Sequence, residues 1–219
     1  MSLQFIMGNS GSGKSYCLYD TVVREAIENP DKNYLVIVPE QFTMQTQKDL
    51  CLAHPKGGIM NIDVLSFGRL AYRVFEEVGQ DARVVLDDEG KNLVLRKIAG
   101  ECEKDLKVFK GNLKKQGYIS EVKSVLSEFA QYGVDFERLD DFMKEVPPES
   151  YLHYKLDDIR TIYEKFEEYL SEKYITKEEM LDVLSDAVPY SDILKGSVVA
   201  MDGFTGFTPV QNRLIGELF

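Results

Sequence analysis

The feature that most constrains the fold is the stretch GNSGSGKS, Gly8–Ser15, near the amino terminus of this 219-residue chain. It matches the G-x-x-x-x-G-K-S pattern of a phosphate-binding loop, which follows a β-strand and opens an α-helix. The apolar run at 3–7 precedes the loop, and residues 15–28 carry apolar side chains at helical spacing. The sequence therefore predicts a strand–loop–helix unit at the start of an α/β domain.

Each part of this loop has a chemical reason to be there. The glycines let backbone N–H groups turn toward a phosphate, and the positive end of the following helix favours an anion. A lysine at this position reaches the terminal phosphates, and the serine hydroxyl is a ligand for Mg²⁺. We therefore predict a site for ATP and Mg²⁺ formed by Gly8, Asn9, Ser10, Gly11, Ser12, Gly13, Lys14 and Ser15.

The rest of the chain is predicted to split into a sheet-containing core and an insertion. Short apolar strands alternate with helical patterns up to about residue 80, which indicates a parallel sheet covered by helices on both faces. Residues 81–195 show only helical periodicity, which predicts a large all-helical insertion. A strand pattern returns at 197–202, so residues 196–219 are predicted to complete the core, up to a chain end inside a helical pattern.

A nucleotide hydrolase also needs a carboxylate at the end of a neighbouring strand to hold the Mg²⁺ shell. Asp202, which closes VVAMD, is the best candidate, and with Ser15 it completes the predicted metal ligands. The following residue is Gly203, which has no side chain to orient a water, and Glu217 lies within a predicted helix. The alternative for Asp202 is an ordinary turn or helix-capping role.

Other polar and aromatic residues follow the predicted strands, at the edge where open α/β sheets usually bind ligands. Ligand contact and simple capping or packing are equally good interpretations for them. They are Gln41, Phe42, Ser66, Phe67 and Arg69. The aromatics of GFTGFTP at 203–209 either pack inward, which is the commoner role, or are presented to a partner.

Charge and cysteine content limit the partners. The net charge of −11 argues against binding nucleic acid over the whole surface. The exception is residues 91–123, with a net charge of +5, where KVFKGNLKKQGY places lysines around Phe109 and Tyr118. Single-strand binders use this combination, although a solvated helix end is the commoner role. Three widely spaced cysteines indicate a reducing, cytoplasmic location, and no apolar run predicts a membrane span.

Four blocks together resemble the B-subunit family of the bacterial AddAB helicase–nucleases. They are Gly8–Ser15, LVIVPEQFTMQ at 35–45, VLSFGRLAYRV at 64–74 and MDGFTGFTPVQ at 201–211. The resemblance implies a superfamily-1-like P-loop fold, and it implies that this chain is the amino-terminal part of a longer protein. It also implies a nuclease domain with an iron–sulfur cluster beyond this chain, and a role in processing DNA double-strand breaks for homologous recombination.

The same resemblance implies that the heterodimeric partner is an A subunit, which is the motor, and that the B subunit contributes to recognition of the regulatory DNA sequence Chi. Gly8–Ser15 would be the nucleotide loop and Asp202 the Walker B aspartate. Superfamily-1 motors read D-E-x-Q-D at that block, where this chain has Asp202-Gly203-Phe204-Thr205-Gly206. The missing glutamate predicts a non-motor scaffold with weak or no ATP hydrolysis.

Two other functions fit parts of the sequence. A P-loop phosphotransferase with a helical lid has about this size, but the chain lacks an Arg-rich lid and paired acceptor-activating aspartates. An interaction module with a vestigial phosphate loop is the second alternative.

Overall fold

The computed structural model describes residues 3–79, 83–112, 115–171 and 173–219. The chain divides into two compact units. The first, here the sheet unit, comprises Met1–Asp81, Leu181–Phe207 and Gln211–Phe219. The second, the helical unit, comprises Ala82–Met180 and Thr208–Val210. No helix in the described ranges is long and apolar enough to cross a membrane.

Within these ranges the chain forms ten α-helices and five strands. The helices are α1 (Lys14–Glu28), α2 (Thr43–Ala53), α3 (Phe67–Val78), α4 (Asp88–Cys102), α5 (Gln116–Tyr132), α6 (Phe136–Glu145), α7 (Tyr151–Leu170), α8 (Glu179–Ala187), α9 (Asp192–Gly196) and α10 (Pro209–Leu218). The strands are β1 (Asn33–Ile37), β2 (Ile62–Leu65), β3 (Val84–Leu86), β4 (Tyr174–Thr176) and β5 (Ser197–Met201). Short 3₁₀ helices follow β1 and α8, at Glu40–Phe42 and Val188–Tyr190.

The sheet unit contains a three-stranded parallel sheet in the order β2-β1-β5. The predicted parallel sheet is therefore confirmed, and β5 joins β1 although most of the chain separates them. The predicted strand at 3–7 is wrong, because residues 3–9 carry no regular secondary structure and the apolar Leu3, Phe5 and Met7 are exposed. An apolar run favours a strand, but a strand forms only where a partner supplies hydrogen bonds.

The strand β1 is buried almost continuously, as expected of a strand covered on both faces, and its side chains alternate between the two faces. On one face, Tyr34, Val36 and Val38 pack with buried residues of α1 and α2, including Val22 and Leu50. The intervening Leu35 and Ile37 are both fully buried on the other face. This central strand fixes the position of β2 and β5, and so of the loops that leave them.

The helical unit has a core built mainly from α4, α5 and α7. The prediction that residues 81–195 are all-helical is wrong, because β3 and β4 pair in parallel as a second, two-stranded sheet. Each strand has only three residues, VVL and YIT. A segment that short shows no alternation in sequence, although its β-branched residues suit a strand.

A glycine ends one helix in each unit. Gly79 and Gly133 end α3 and α5 in the left-handed conformation, with φ of 68° and 64°. At the start of α8, the Glu179 carboxylate accepts from the backbone N–H of Thr176 at 2.8 Å, and Glu179 N–H donates to the Thr176 hydroxyl at 3.2 Å. This reciprocal pair is a capping box, for which the spacing T-x-x-E is the sequence signature.

A second carboxyl group lies beside this capping box. Burial raises the pKa of Glu167, on α7, from 4.5 to about 7, and the charge and hydrogen bond of Glu179 act in the same direction. The Glu179 carboxylate accepts hydrogen bonds from Thr176, which favour its ionised form. The negative charge of Glu179 then favours the protonated form of the neighbouring Glu167.

This arrangement makes the stability of the helical unit depend on pH. In the unfolded chain Glu167 ionises near 4.5, whereas in the folded protein it ionises near 7. Its contribution to the free energy of unfolding is therefore complete below about pH 4.5 and is lost as the pH rises through 7. We expect Glu167→Gln, which resembles the protonated acid, to lose less stability over this range than the wild type.

Urea denaturation at a series of pH values between 4.5 and about 8 measures this difference. Glu168→Gln is the matched control, since Glu168 is the next residue on α7 and is exposed. Equal pH slopes for the wild type and Glu167→Gln would contradict the assignment.

Candidate functional site

The carboxyl ends of the three strands lie side by side. Ile37 pairs in register with Leu65 of β2 and with Met201 of β5. All three strands are parallel, so the loops that follow them leave at the same edge of the sheet. The backbone N–H of Asp202 continues the pairing by donating to the Ile37 carbonyl at 3.1 Å. We call this region, formed by residues 38–42, 66–69 and 202–207, the carboxyl edge.

The phosphate-loop motif continues into the first two residues of α1 and is exposed along most of its length. Gly11 and Gly13 have φ of 75° and 83°, a conformation that L side chains rarely adopt. A Cβ on Gly8 would lie 2.4 Å from the Ser12 hydroxyl oxygen, so this glycine permits the close approach of the loop to itself. Ser12 N–H closes the turn on the Asn9 carbonyl at 3.2 Å.

The start of α1 is suited to an anion. Gly13 is its N-cap and supplies no side-chain hydrogen bond, and the first turn contains no acidic residue. The first backbone N–H groups of the helix therefore lack a side-chain acceptor and lie at the positive end of the helix dipole. The Lys14 ammonium folds back across the loop and donates to the Asn9 carbonyl at 2.8 Å. Residues of this chemistry fit the phosphates of a nucleotide.

Asp202 lies against the helix that this loop opens. Its Oδ2 accepts a hydrogen bond from the Tyr19 hydroxyl at 2.9 Å, and Tyr19 is on α1. Ser15 and Tyr19 are four residues apart, so they share one face of α1. Tertiary structure thus brings the aspartate to a side chain that lies one helical turn after Ser15, the other predicted magnesium ligand.

The residue after Asp202 cannot serve as a catalytic base. Gly203 has φ of 79°, and a Cβ there would lie 3.4 Å from both Pro39 and Phe42. The positive φ therefore favours glycine at this position, and a glutamate would be strained there. Glu217 lies in α10, in the helix where it was predicted.

The other carboxylate of the carboxyl edge is already engaged. Glu40 accepts a hydrogen bond from the Ser66 hydroxyl and forms an ion pair with Arg69, whose Nε lies 3.4 Å from Oε1. Ser66 also caps α3 by accepting from the Arg69 backbone N–H at 3.4 Å. The capping interpretation of Ser66 is therefore confirmed. Glu40 links the loop after β1 to the loop after β2, a contact that the sequence did not predict.

Aromatic side chains fill the rest of the carboxyl edge. Phe204 packs between Phe67 and Phe207, with ring centroids 5.3 and 5.0 Å apart. Phe67 is buried, which confirms the packing interpretation for this residue, whereas Phe42 and Phe207 remain 45% and 39% exposed. The exposed rings, together with the exposed Gln41 and Arg69, leave an apolar and polar surface that a ligand can contact.

The basic segment at 107–118 does not present both of its aromatic rings to solvent, as a single-strand-binding surface would. Phe109 is buried at 5% exposure, and its ring meets Tyr118 edge-on with centroids 6.1 Å apart. The hypothesis that Phe109 stacks on a base is wrong, because the ring belongs to the core of the helical unit. Lys114 lies outside the described residues.

The structure and the motif together define the class of protein. It is a mixed α/β protein, mostly helical, with parallel sheets and a phosphate-loop motif at the start of its first helix. Residues 5–219 match the family model described as ADDB, N-terminal, and the chain belongs to this family.

Curated relatives extend this match over the whole chain. The chain is 49% identical over 218 residues to the B subunit of the ATP-dependent helicase/deoxyribonuclease from Lachnoclostridium phytofermentans. Proteins with the same description from Clostridium kluyveri and Alkaliphilus metalliredigens are 39% and 36% identical. In each case the match covers 100% of this chain and 19% of the relative, so the chain spans about a fifth of the length of these proteins.

The start of the basic segment depends on one buried carboxylate. Asp158, on α7, is 1% exposed and accepts hydrogen bonds from the backbone N–H groups of Lys107, Val108 and Phe109 at 2.8, 2.7 and 2.8 Å. We expect Asp158→Asn to destabilise the chain by about 3 kcal/mol, because it removes charged hydrogen bonds and turns a donor toward donors.

Asp157→Asn is the matched control, since Asp157 is a neighbouring, more exposed residue that pairs with Lys107. Its loss should cost less than about 1 kcal/mol. Urea denaturation of both variants measures the difference, and equal destabilisation would disprove a special role for Asp158.

Proposed function

We propose that this chain is the nucleotide-binding, superfamily-1-like amino-terminal region of the B subunit of a heterodimeric helicase–nuclease. The observation that carries the proposal is the combination of an open phosphate loop with an aspartate held against the same helix and a glycine where a motor has its glutamate. The family match and the descriptions of the relatives support it.

In this proposal the site binds ATP with Mg²⁺ but hydrolyses it slowly or not at all. The N–H groups at the start of α1 and the Lys14 ammonium would hold the phosphates, and Ser15 and Asp202 would hold the cation. When bound, the cation would neutralise phosphate charge. With Glu40 engaged by Ser66 and Arg69 and with Gly203 after the aspartate, these loops offer no free carboxylate to activate a water. Nucleotide binding would thus favour one conformation without turnover.

The second part of the proposal is that the carboxyl edge contacts DNA. Exposed aromatic rings at Phe42 and Phe207 can stack on bases, and Arg69 can contact phosphate or a base edge. These groups lie on loops fixed by Glu40 and by the packing of Phe204, so they are held in place before DNA arrives. Contribution to sequence recognition within a complex with the A subunit, during processing of double-strand breaks, is the role we propose for this surface.

Nucleotide binding is tested on the chain itself. We expect Lys14→Ala to lower the affinity for a fluorescent ATP analogue at least about tenfold, because it removes a cation from the phosphates. Lys32→Ala is the matched control, since Lys32 is exposed and lies just before β1, at the opposite end of the strand from the carboxyl edge.

Hydrolysis is measured in the same preparations. Turnover on the order of 10 s⁻¹, abolished by Lys14→Ala, would disprove the non-motor part of the proposal. Transfer of phosphate to an added nucleoside would favour a phosphotransferase. No detectable binding of ATP or ADP would favour the interaction module with a vestigial loop.

DNA contact is tested by fluorescence anisotropy with a labelled single-stranded oligonucleotide. We expect Phe42→Ala to weaken binding by about tenfold, since stacking on one aromatic ring is worth about 1–3 kcal/mol. Phe142→Ala is the control, because Phe142 is a similarly exposed ring on α6 of the helical unit. Equal effects of the two variants would contradict a specific role for the carboxyl edge.

A further inference from the structure

A hydrogen-bonded chain of three side chains connects α2, α1 and the end of β5. The Tyr19 hydroxyl lies 2.9 Å from Asp202 Oδ2 and 3.2 Å from the Thr46 hydroxyl oxygen. Thr46 is 3% exposed, whereas Tyr19 and Asp202 are partly buried. None of the sequence motifs assigns a role to Tyr19 or Thr46.

The proton positions in this chain follow from the chemistry of its members. An ionised carboxylate only accepts, so the single proton of Tyr19 points to Asp202, and the Thr46 hydroxyl donates to the Tyr19 oxygen. A phenol, whose ordinary pKa is about 10, keeps its proton at neutral pH, so Tyr19 is a donor there.

Tyr19 donates its hydrogen bond to Asp202, the residue that we propose as a ligand of the cation. A phenol bound to one carboxylate oxygen fixes the rotation of the group, and Thr46 fixes the phenol in turn. Partners of this kind, behind a metal ligand, hold the ligand in its binding orientation, and their loss typically lowers metal affinity by about 10–100-fold. Tyr19 stands one turn after Ser15 on the same helical face, so it connects both proposed metal ligands through α1.

We propose that Tyr19 is a positioning residue that orients Asp202 for the divalent cation of the nucleotide site. This inference rests on the proposed nucleotide-binding function and deepens it. Thr46 supports the same orientation from α2, and Tyr19 itself does not contact the cation.

The test separates binding that depends on the cation from binding that does not. ATP affinity of the intact chain is measured by titration calorimetry in excess Mg²⁺ and in EDTA, for the wild type and for Tyr19→Phe. We expect Tyr19→Phe to lower the affinity in Mg²⁺ by about tenfold, and to leave the affinity in EDTA unchanged. The Mg²⁺ concentration at half-saturation should rise correspondingly.

Two further variants control for structural effects. Tyr151→Phe should change neither affinity, since Tyr151 lies on α7 of the helical unit with 71% exposure. In an Asp202→Asn background, Tyr19→Phe should have no further effect, because the ligand that it positions is already lost. Thermal unfolding of each variant establishes that it is folded.

Each outcome decides the inference. Unchanged Mg²⁺ dependence in Tyr19→Phe would overturn the positioning role while leaving nucleotide binding intact. Equal loss of affinity in Mg²⁺ and in EDTA would show that Tyr19 supports only the fold of α1, and would also overturn it. A wild-type chain that binds no nucleotide under either condition would overturn the proposed function and this inference together.

Discussion

The arrangement of the candidate site depends on the in-register parallel pairing of β1 with both β2 and β5. Because Ile37 is level with Leu65 and Met201, three loops that are far apart in the sequence leave the sheet side by side. Fully buried residues on β1 hold this register, since a shift of one residue would turn their side chains to the wrong face. Interactions between the loops then become possible, including Glu40 with Ser66 and Phe204 with Phe67.

This geometry separates binding a nucleotide from hydrolysing it. The features that suit phosphate are local: glycines with positive φ, an uncapped helix start and a lysine. Hydrolysis depends on a carboxylate brought from elsewhere in the chain, and the residue after Asp202 is a glycine packed close to Pro39 and Phe42. The non-motor role that we propose follows from this difference, within a family whose curated members are about five times longer than this chain.

The sequence predicted most of the regular elements and the glycine-rich motif that opens α1. Helices with clear periodicity were predicted correctly, as α1 illustrates: the apolar spacing over 15–28 corresponds to the helix Lys14–Glu28. Two errors, and the rejection of the alternative in which Phe109 stacks on a base, share a cause, which is that the deciding contact lies outside the segment. The run at 3–7 is apolar but pairs with no strand. The strands β3 and β4 have three residues each and form by pairing with each other. Phe109 is buried by other residues of the helical unit.

By itself, the sequence determined the phosphate-loop motif, the helix that follows it, the candidate aspartate and the glycine that stands beside it in place of a glutamate. These properties are local, since they depend on residue type and spacing within a few positions. Tertiary structure alone decided that Asp202 meets Tyr19 of α1, that Tyr19 meets Thr46 of α2, and that Glu40 is taken by Ser66 and Arg69. Those contacts join segments that are far apart in the sequence, and no sequence pattern indicates which of these segments will meet. The register of the packed sheet brings them together.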